Sequence, residues 1–217
     1  MISEGSMIHE TFYGEYLKNL LAGHHRKCRG MVQELIDEGI GIKELYTDLF
    51  QRSMYEVGEL WENNRITVAR EHLATSITDS LLNLAYPSLF STARTGKRAV
   101  VSCSVNEYHQ IGAKMVADIF ELHGWDGHFL GANAPAEDMA RFIHEVNPDV
   151  VGLSLSLLSN MDKLKHHIDV IRADFPQMDL LVGGQAFRWG GLEVIGSYGR
   201  TQYIPSLERL EATLAEA

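Results

Sequence analysis

The pattern in this chain that points most directly to chemistry is a carboxylate two residues before a histidine, where an apolar run gives way to a helical period: Glu107-Tyr108-His109-Gln110-Ile111-Gly112. A carboxylate that takes one imidazole nitrogen leaves the other as a metal ligand or a base. Two later loops carry further candidates, Ser154-Leu155-Ser156 after one apolar run and Gly183-Gly184 after another. Upstream, Trp61 and Val68 offer apolar surface, and the adjacent pair Glu71-His72 offers hydrogen bonds. Taken singly, each has an ordinary reading. A histidine at a helix start is usually a hydrogen-bonded surface residue, a Gly-Gly pair is turn chemistry, and serines at a strand end satisfy nearby backbone. Trp61 alone would be the last core residue of its helix, with Glu71-His72 a solvated helix start.

Other histidines do not assemble into a comparable pattern. Neighbours such as His24-His25 and His166-His167 point apart on a helix, and no two-cysteine motif accompanies them, which argues against a conventional metal site. No pairing of nucleophile with base and no phosphate loop stands out, so independent catalysis is not expected.

The elements that must position these residues fall into two halves with different periods. From Tyr13 to about Leu89 the apolar residues recur at helical steps, as in Cys28, Met31, Val32, Leu35 and Ile36, then Leu45, Leu49, Phe50, Val57, Leu60 and Trp61. Gly23, Gly39 and Gly41 punctuate the series, and Thr67 can cap a further helix through Val68, Leu73, Ile77, Leu81 and Leu84. Four antiparallel helices over residues 10–92 are the economical reading. Beyond Tyr86-Pro87, apolar runs at Ala99 to Cys103, His128 to Leu130, Val150 to Leu155 and Leu180 to Val182 alternate with helical segments. A short strand near Thr201 to Ile204 and a last helix would complete five strands and five helices over 93–217. Buried runs alternating with helices define a parallel α/β sheet of flavodoxin-like type. Ligands in such folds sit at the carboxyl ends of the strands beside the point where the winding reverses, which is where the three loops fall.

Composition narrows the function classes. The 217 residues are 45% hydrophobic and 22% charged, ordinary values for a folded protein. The longest apolar runs are too short to span a membrane, and Met1 to Ile8 lacks the basic and apolar regions of an export signal. Cys28 and Cys103 lie in unrelated segments and read as free buried thiols of a reducing compartment, so a cytoplasmic location is expected. With a net charge of -10 and scattered cations, direct nucleic-acid binding is not expected. The sequence leaves open whether copies associate into a homo-oligomer.

Together, the three loops resemble the cobalamin-binding domain family, whose pattern runs Asp-x-His-x-x-Gly, then Ser-x-Leu, then Gly-Gly. Here Glu107 replaces the aspartate and Ser156 the leucine, while His109, Gly112, Ser154, Gly183 and Gly184 match. The resemblance extends upstream. Trp61, with Glu71 and His72 ten and eleven residues later, looks like the helical cap of light-sensing, adenosylcobalamin-dependent repressors. It implies that His109 binds cobalt in place of the cofactor's own base, that Glu107 orients the imidazole, and that Gly112, Ser154, Gly183 and Gly184 surround the nucleotide tail. It implies, too, that cobalamin lies between cap and α/β domain, with Trp61 over an adenosyl group, Glu71 on its ribose, and Val68 and His72 among the residues that bind the cofactor. Glu62 stands where those repressors carry a second histidine, and only a dozen residues precede Tyr13, so no DNA-binding domain is expected there. Two functions follow from the resemblance: a stand-alone sensor of light or cofactor state, read by a separate regulator, or a corrinoid protein carrying a methyl group between methyltransferases. The first favours adenosylcobalamin and the second methylcobalamin.

Overall fold

The computed structural model describes residues 8–216. The stretch read for an export signal therefore lies outside the described residues except for Ile8. The chain forms two compact units that divide between Ser88 and Leu89.

The first unit is helical. α1 (Glu10–Leu21) buries Tyr13, Tyr16, Leu17 and Leu20, and α2 (His25–Asp37) buries Cys28, Val32 and Leu35, both at steps of three and four residues. Gly23 and Gly39 end these helices at positive φ, 74° and 87°. The third helix of the expected four is composite: a short α3 (Ile42–Glu44), a π-helical segment Leu45–Gln51, and α4 (Arg52–Glu62) run on without interruption. The widened turns face Leu45, Tyr46, Leu49 and Phe50 inward. Thr67 caps α5 (Val68–Leu82) as expected, its side chain accepting the Arg70 N–H. A single turn, α6 (Tyr86–Leu89), follows. A polar tie joins α1 to α4: the Tyr13 hydroxyl donates to Glu56 at 2.7 Å, and Arg52 stacks 3.6 Å over the Tyr13 ring while donating to both Glu10 oxygens.

The second unit alternates strands and helices: β1 (Arg98–Cys103), α7 (Ile111–Leu122), β2 (Asp126–Phe129), α8 (Ala136–Val146), β3 (Val150–Ser154), α9 (Met161–Asp174), β4 (Asp179–Gly183), α10 (Leu192–Gly196), β5 (Thr201–Tyr203) and α11 (Leu207–Ala215). All pairs are parallel and the strand order is β2-β1-β3-β4-β5. The five expected strands and five helices are present. One expectation changes: β2 is not a buried run but a partly exposed one, because it is an edge strand. The segment after Gly184, irregular in its pattern, is a 3₁₀ turn Gln185–Arg188 followed by the short α10.

The sheet core joins Val100, Val151, Leu153, Leu180 and Val182 to Ile143 of α8 and to Leu164, Ile168 and Ile171 of α9. Along this α8–α9 packing lies His167, fully buried, with Nε2 3.0 Å from the Ala134 carbonyl and Nδ1 3.2 Å from that of Lys163. Burial holds its pKa below the ordinary histidine value, against the pull of those two carbonyls. The folded chain thus resists a proton that the unfolded chain accepts near pH 6.5. The stability this contributes is complete above that pH and declines as pH falls toward the folded pKa. Urea midpoints measured from pH 7.5 to 5.5 are expected to fall more steeply for the native sequence than for His167→Gln; equal slopes would refute this.

Candidate functional site

The reversal in strand order falls between β1 and β3, and the sheet register aligns their ends. Cys103 pairs with Ser154, and Ser154 with Gly183, so the loops carrying His109, Ser156 and Gly184 leave the sheet from one row. Beyond that row the loops tie to one another: Ser104 donates its N–H to the Ser154 carbonyl and Leu155 to that of Gly183.

Glu107 is the centre of the arrangement. Its side chain is fully buried, yet every part of the carboxylate is engaged. Oε1 accepts the His109 main-chain N–H at 3.0 Å and lies 2.5 Å from His109 Nδ1; Oε2 accepts the N–H groups of Ser156 at 2.8 Å and Leu157 at 3.0 Å. Burial alone would push the Glu107 pKa up, but the His109 ring and the three main-chain donors outweigh it and hold the group below the usual carboxylate range. A carboxylate can only accept, so in the neutral ring Nδ1 carries the proton and Nε2 the lone pair. The His109 side chain is 55% exposed, so the ring is oriented from a buried base while its face meets solvent. A buried carboxylate fixing the tautomer of an exposed imidazole prepares Nε2 to bind a transition metal.

The replacement of aspartate by glutamate leaves a direct contact to the ring. Ser156 acts here through its main-chain N–H, which any residue would supply, so the change from leucine does not disturb Glu107. Leu157, not anticipated from the sequence, acts in the same way. Tyr108 projects outward, 67% exposed; Gln110 stands at the N-cap position of α7 without a side-chain capping bond, and Ile111 is buried as its first residue. A Cβ built at Gly112 would meet nothing within 4 Å, so there is open space beside the start of α7. At Gly183 a Cβ would come 2.9 Å from the Ile204 carbonyl, and at Gly184, with φ +110°, 2.2 Å from that of Leu155. The close approaches that demand glycine at these two positions are therefore to neighbouring backbone. Ser104 Oγ is buried and has no hydrogen-bond partner among the described residues.

In the helical unit, Trp61 is 45% exposed and Val68 50%, so neither is closed into the core of that unit. Glu71 accepts from the Thr75 hydroxyl at 2.8 Å and lies 3.5 Å from His72 Nε2, with His72 itself exposed. Of the two adjacent histidine pairs, His24 meets Asn19, His25 meets Ser80, His166 meets Glu137 and His167 the Ala134 and Lys163 carbonyls. Cys28 and Cys103 are buried free thiols, and burial pushes the Cys103 thiol up to about 12. Among the described residues no helix is long and apolar enough to cross a membrane.

A five-stranded parallel sheet with an oriented imidazole at its switch point, preceded in sequence by a helical unit, defines the class: an α/β protein with an imidazole donor presented at its strand ends. The chain belongs to the B12-binding family: one model described as B12 binding domain matches residues 97–199 and a second of the same description matches 14–86. Among curated proteins it is 34% identical over 149 residues to the HTH-type transcriptional repressor CarA of Myxococcus xanthus, and 27% identical over 176 residues to CarH of the same organism. These matches cover 68% and 79% of this chain but 50% and 58% of the repressors, so the chain spans little more than half the length of those relatives. It is also 22% identical over 148 residues to dimethylamine corrinoid protein 2 of Methanosarcina acetivorans, covering 66% of this chain and 68% of that one. Among solved structures, the monomethylamine corrinoid protein of Methanosarcina barkeri shares its fold, with TM-score 0.81 at 15% identity over 97% of this chain and 100% of that one.

Proposed function

We propose that this protein binds cobalamin with His109 in place of the cofactor's own base, and acts as a sensor of the cofactor's state, adenosylcobalamin being the favoured form. The observation that carries the reading is the Glu107 carboxylate, fully buried and held by three main-chain N–H groups, with its Oε1 2.5 Å from His109 Nδ1. The residues present fit the group: Nε2 is the donor a metal carried in its own macrocycle needs, and the open space at Gly112 and the orphaned Ser104 hydroxyl offer room and a hydrogen-bonding group for a polar tail.

In this reading the roles divide between the two units. His109 binds through Nε2, and Glu107 holds the ring in the binding tautomer and raises its donor strength. Tyr108, Gln110 and Ile111 carry the loop around the ligand, while Ser154, Ser156, Gly183 and Gly184 frame the place of the tail. In the helical unit, Trp61 and Val68 present exposed apolar surface suited to a flat organic upper ligand, and Glu71 can accept hydrogen bonds from ribose hydroxyls, with His72 beside it. Bound cobalamin supplies a cobalt–carbon bond that light or a nucleophile can break. A separate regulator would read the result, in keeping with the likeness to the CarA and CarH repressors.

Methyl carriage between methyltransferases, with methylcobalamin bound, is the second reading; the likeness to dimethylamine corrinoid protein 2 favours it. Reconstitution in the dark with adenosyl- and methylcobalamin, followed by absorption spectra before and after illumination, separates the two. The sensor is expected to prefer adenosylcobalamin and to photoconvert; tight methylcobalamin binding with transfer of the methyl group to an acceptor would favour the carrier. Failure to bind either cofactor would overturn both.

A further inference from the structure

The hold of Glu107 on His109 is only as firm as the backbone that carries Glu107, and that backbone is an irregular loop between Ser104 and Gln110. Three bonds from two other loops pin it. The Asn106 N–H donates to Asn133 Oδ1 at 2.8 Å, and the Asn106 carbonyl accepts from Asn160 Nδ2 at 3.1 Å. The Glu107 carbonyl accepts the Asn133 main-chain N–H at 3.1 Å. Both peptide groups flanking Glu107 are thus engaged from outside their own loop.

The anchors are themselves secured. Asn133 lies in the β2–α8 loop, which is held by the bond from Cys103 N–H to the Gly131 carbonyl and by His167 against the Ala134 carbonyl. Asn160 lies at the N-cap of α9. Asn106 and Asn133 both have left-handed backbones, with φ 62° and 54°, a conformation asparagine tolerates better than most residues. Asparagine therefore serves twice at position 133, permitting the backbone turn and supplying the acceptor.

We infer that Asn133 and Asn160 form a clamp that fixes the Asn106–Glu107 backbone and thereby sets the strength with which His109 coordinates a corrinoid cobalt. They are positioning residues that act through Glu107. The inference rests on the proposed role of His109.

The test uses the full chain loaded with methylcobalamin, and reads from the visible spectrum the ratio of histidine-coordinated to uncoordinated cofactor. Asn133→Gly keeps the left-handed backbone and the main-chain bond but removes the Oδ1 acceptor; Asn160→Ala removes the Nδ2 donor. Each is expected to lower that ratio by roughly tenfold, the lower end of the range for losing a group that orients a metal ligand. Asn133→Asp, which retains an acceptor and tolerates the same φ, is expected to remain closer to the native ratio than Asn133→Gly. Native protein with histidine-coordinated cofactor, and Asn133→Gly and Asn160→Ala with unchanged ratios, would overturn the clamp while leaving the role of His109 intact. Native protein that binds without histidine coordination, or does not bind, overturns the reading beneath it. Should Asn133→Gly fail to fold by circular dichroism, Asn160→Ala decides, since it removes a single side-chain donor from an exposed bond.

Discussion

Replacing His109 with alanine is expected to abolish the histidine-coordinated spectrum of bound cobalamin and to weaken its binding by at least about 100-fold, beyond the 10- to 100-fold typical of losing a supporting group around a metal. The chain should still fold. His109 is a loop residue with 55% of its side chain exposed, so little packing is lost. Glu107 would lose one partner but keep the Ser156 and Leu157 N–H groups and the main-chain N–H of residue 109. Spectra and binding isotherms of the variant loaded with methylcobalamin check this. A histidine-coordinated spectrum that survives the substitution would remove His109 from its proposed place.

A second large effect is expected at Gly184, this time on stability. Its backbone lies at φ 110° and ψ 169°, a region essentially reserved for glycine, and a Cβ there would stand 2.2 Å from the Leu155 carbonyl oxygen. That oxygen cannot simply retreat. It accepts the Ala186 N–H, and Leu155 donates in turn to Gly183. Gly184→Ala is expected to cost about 3 kcal/mol or more and to lower the melting temperature by about 6–12 °C. Leu155 is followed directly by the two residues whose amides hold Glu107, so coordination by His109 should weaken as well. Gly112→Ala supplies the contrast. A methyl group there meets nothing within 4 Å and lies in the first turn of α7, so thermal stability should hold or rise slightly. If the open space is where the tail lies, cobalamin binding should nevertheless fall. Calorimetry and cofactor titration on the two variants would expose an error in either half: an unchanged melting temperature for Gly184→Ala, or undiminished binding by Gly112→Ala.

Much of the architecture was legible in the chain because burial writes a period. The three- and four-residue steps of α1 and α2 announced the helical unit, and the apolar runs at Ala99, Val150 and Leu180 announced central strands covered on both faces. β2 blurred that signal because an edge strand has less to bury, and the π-helical turns before α4 left no mark in the pattern because widened and ordinary turns bury much the same positions. The side chains that bear chemistry were also visible: His109 and Glu107 stand two residues apart, and their contact is local.

The long-range partners of that pair were not visible. Ser156 and Leu157 act through main-chain amides about fifty positions away, and an amide carries no residue-type signal. Asn106 and Asn133 could have been suspected as residues suited to left-handed turns, but their meeting depends on β1 and β2 ending side by side. Sequence by itself determined the elements and singled out His109 as the candidate ligand, because local periodicity and residue chemistry are properties of short stretches. Only the tertiary structure decided that the His109 ring is oriented by a Glu107 carboxylate kept charged in a buried place, because that carboxylate depends on donors that the parallel sheet brings together from distant loops.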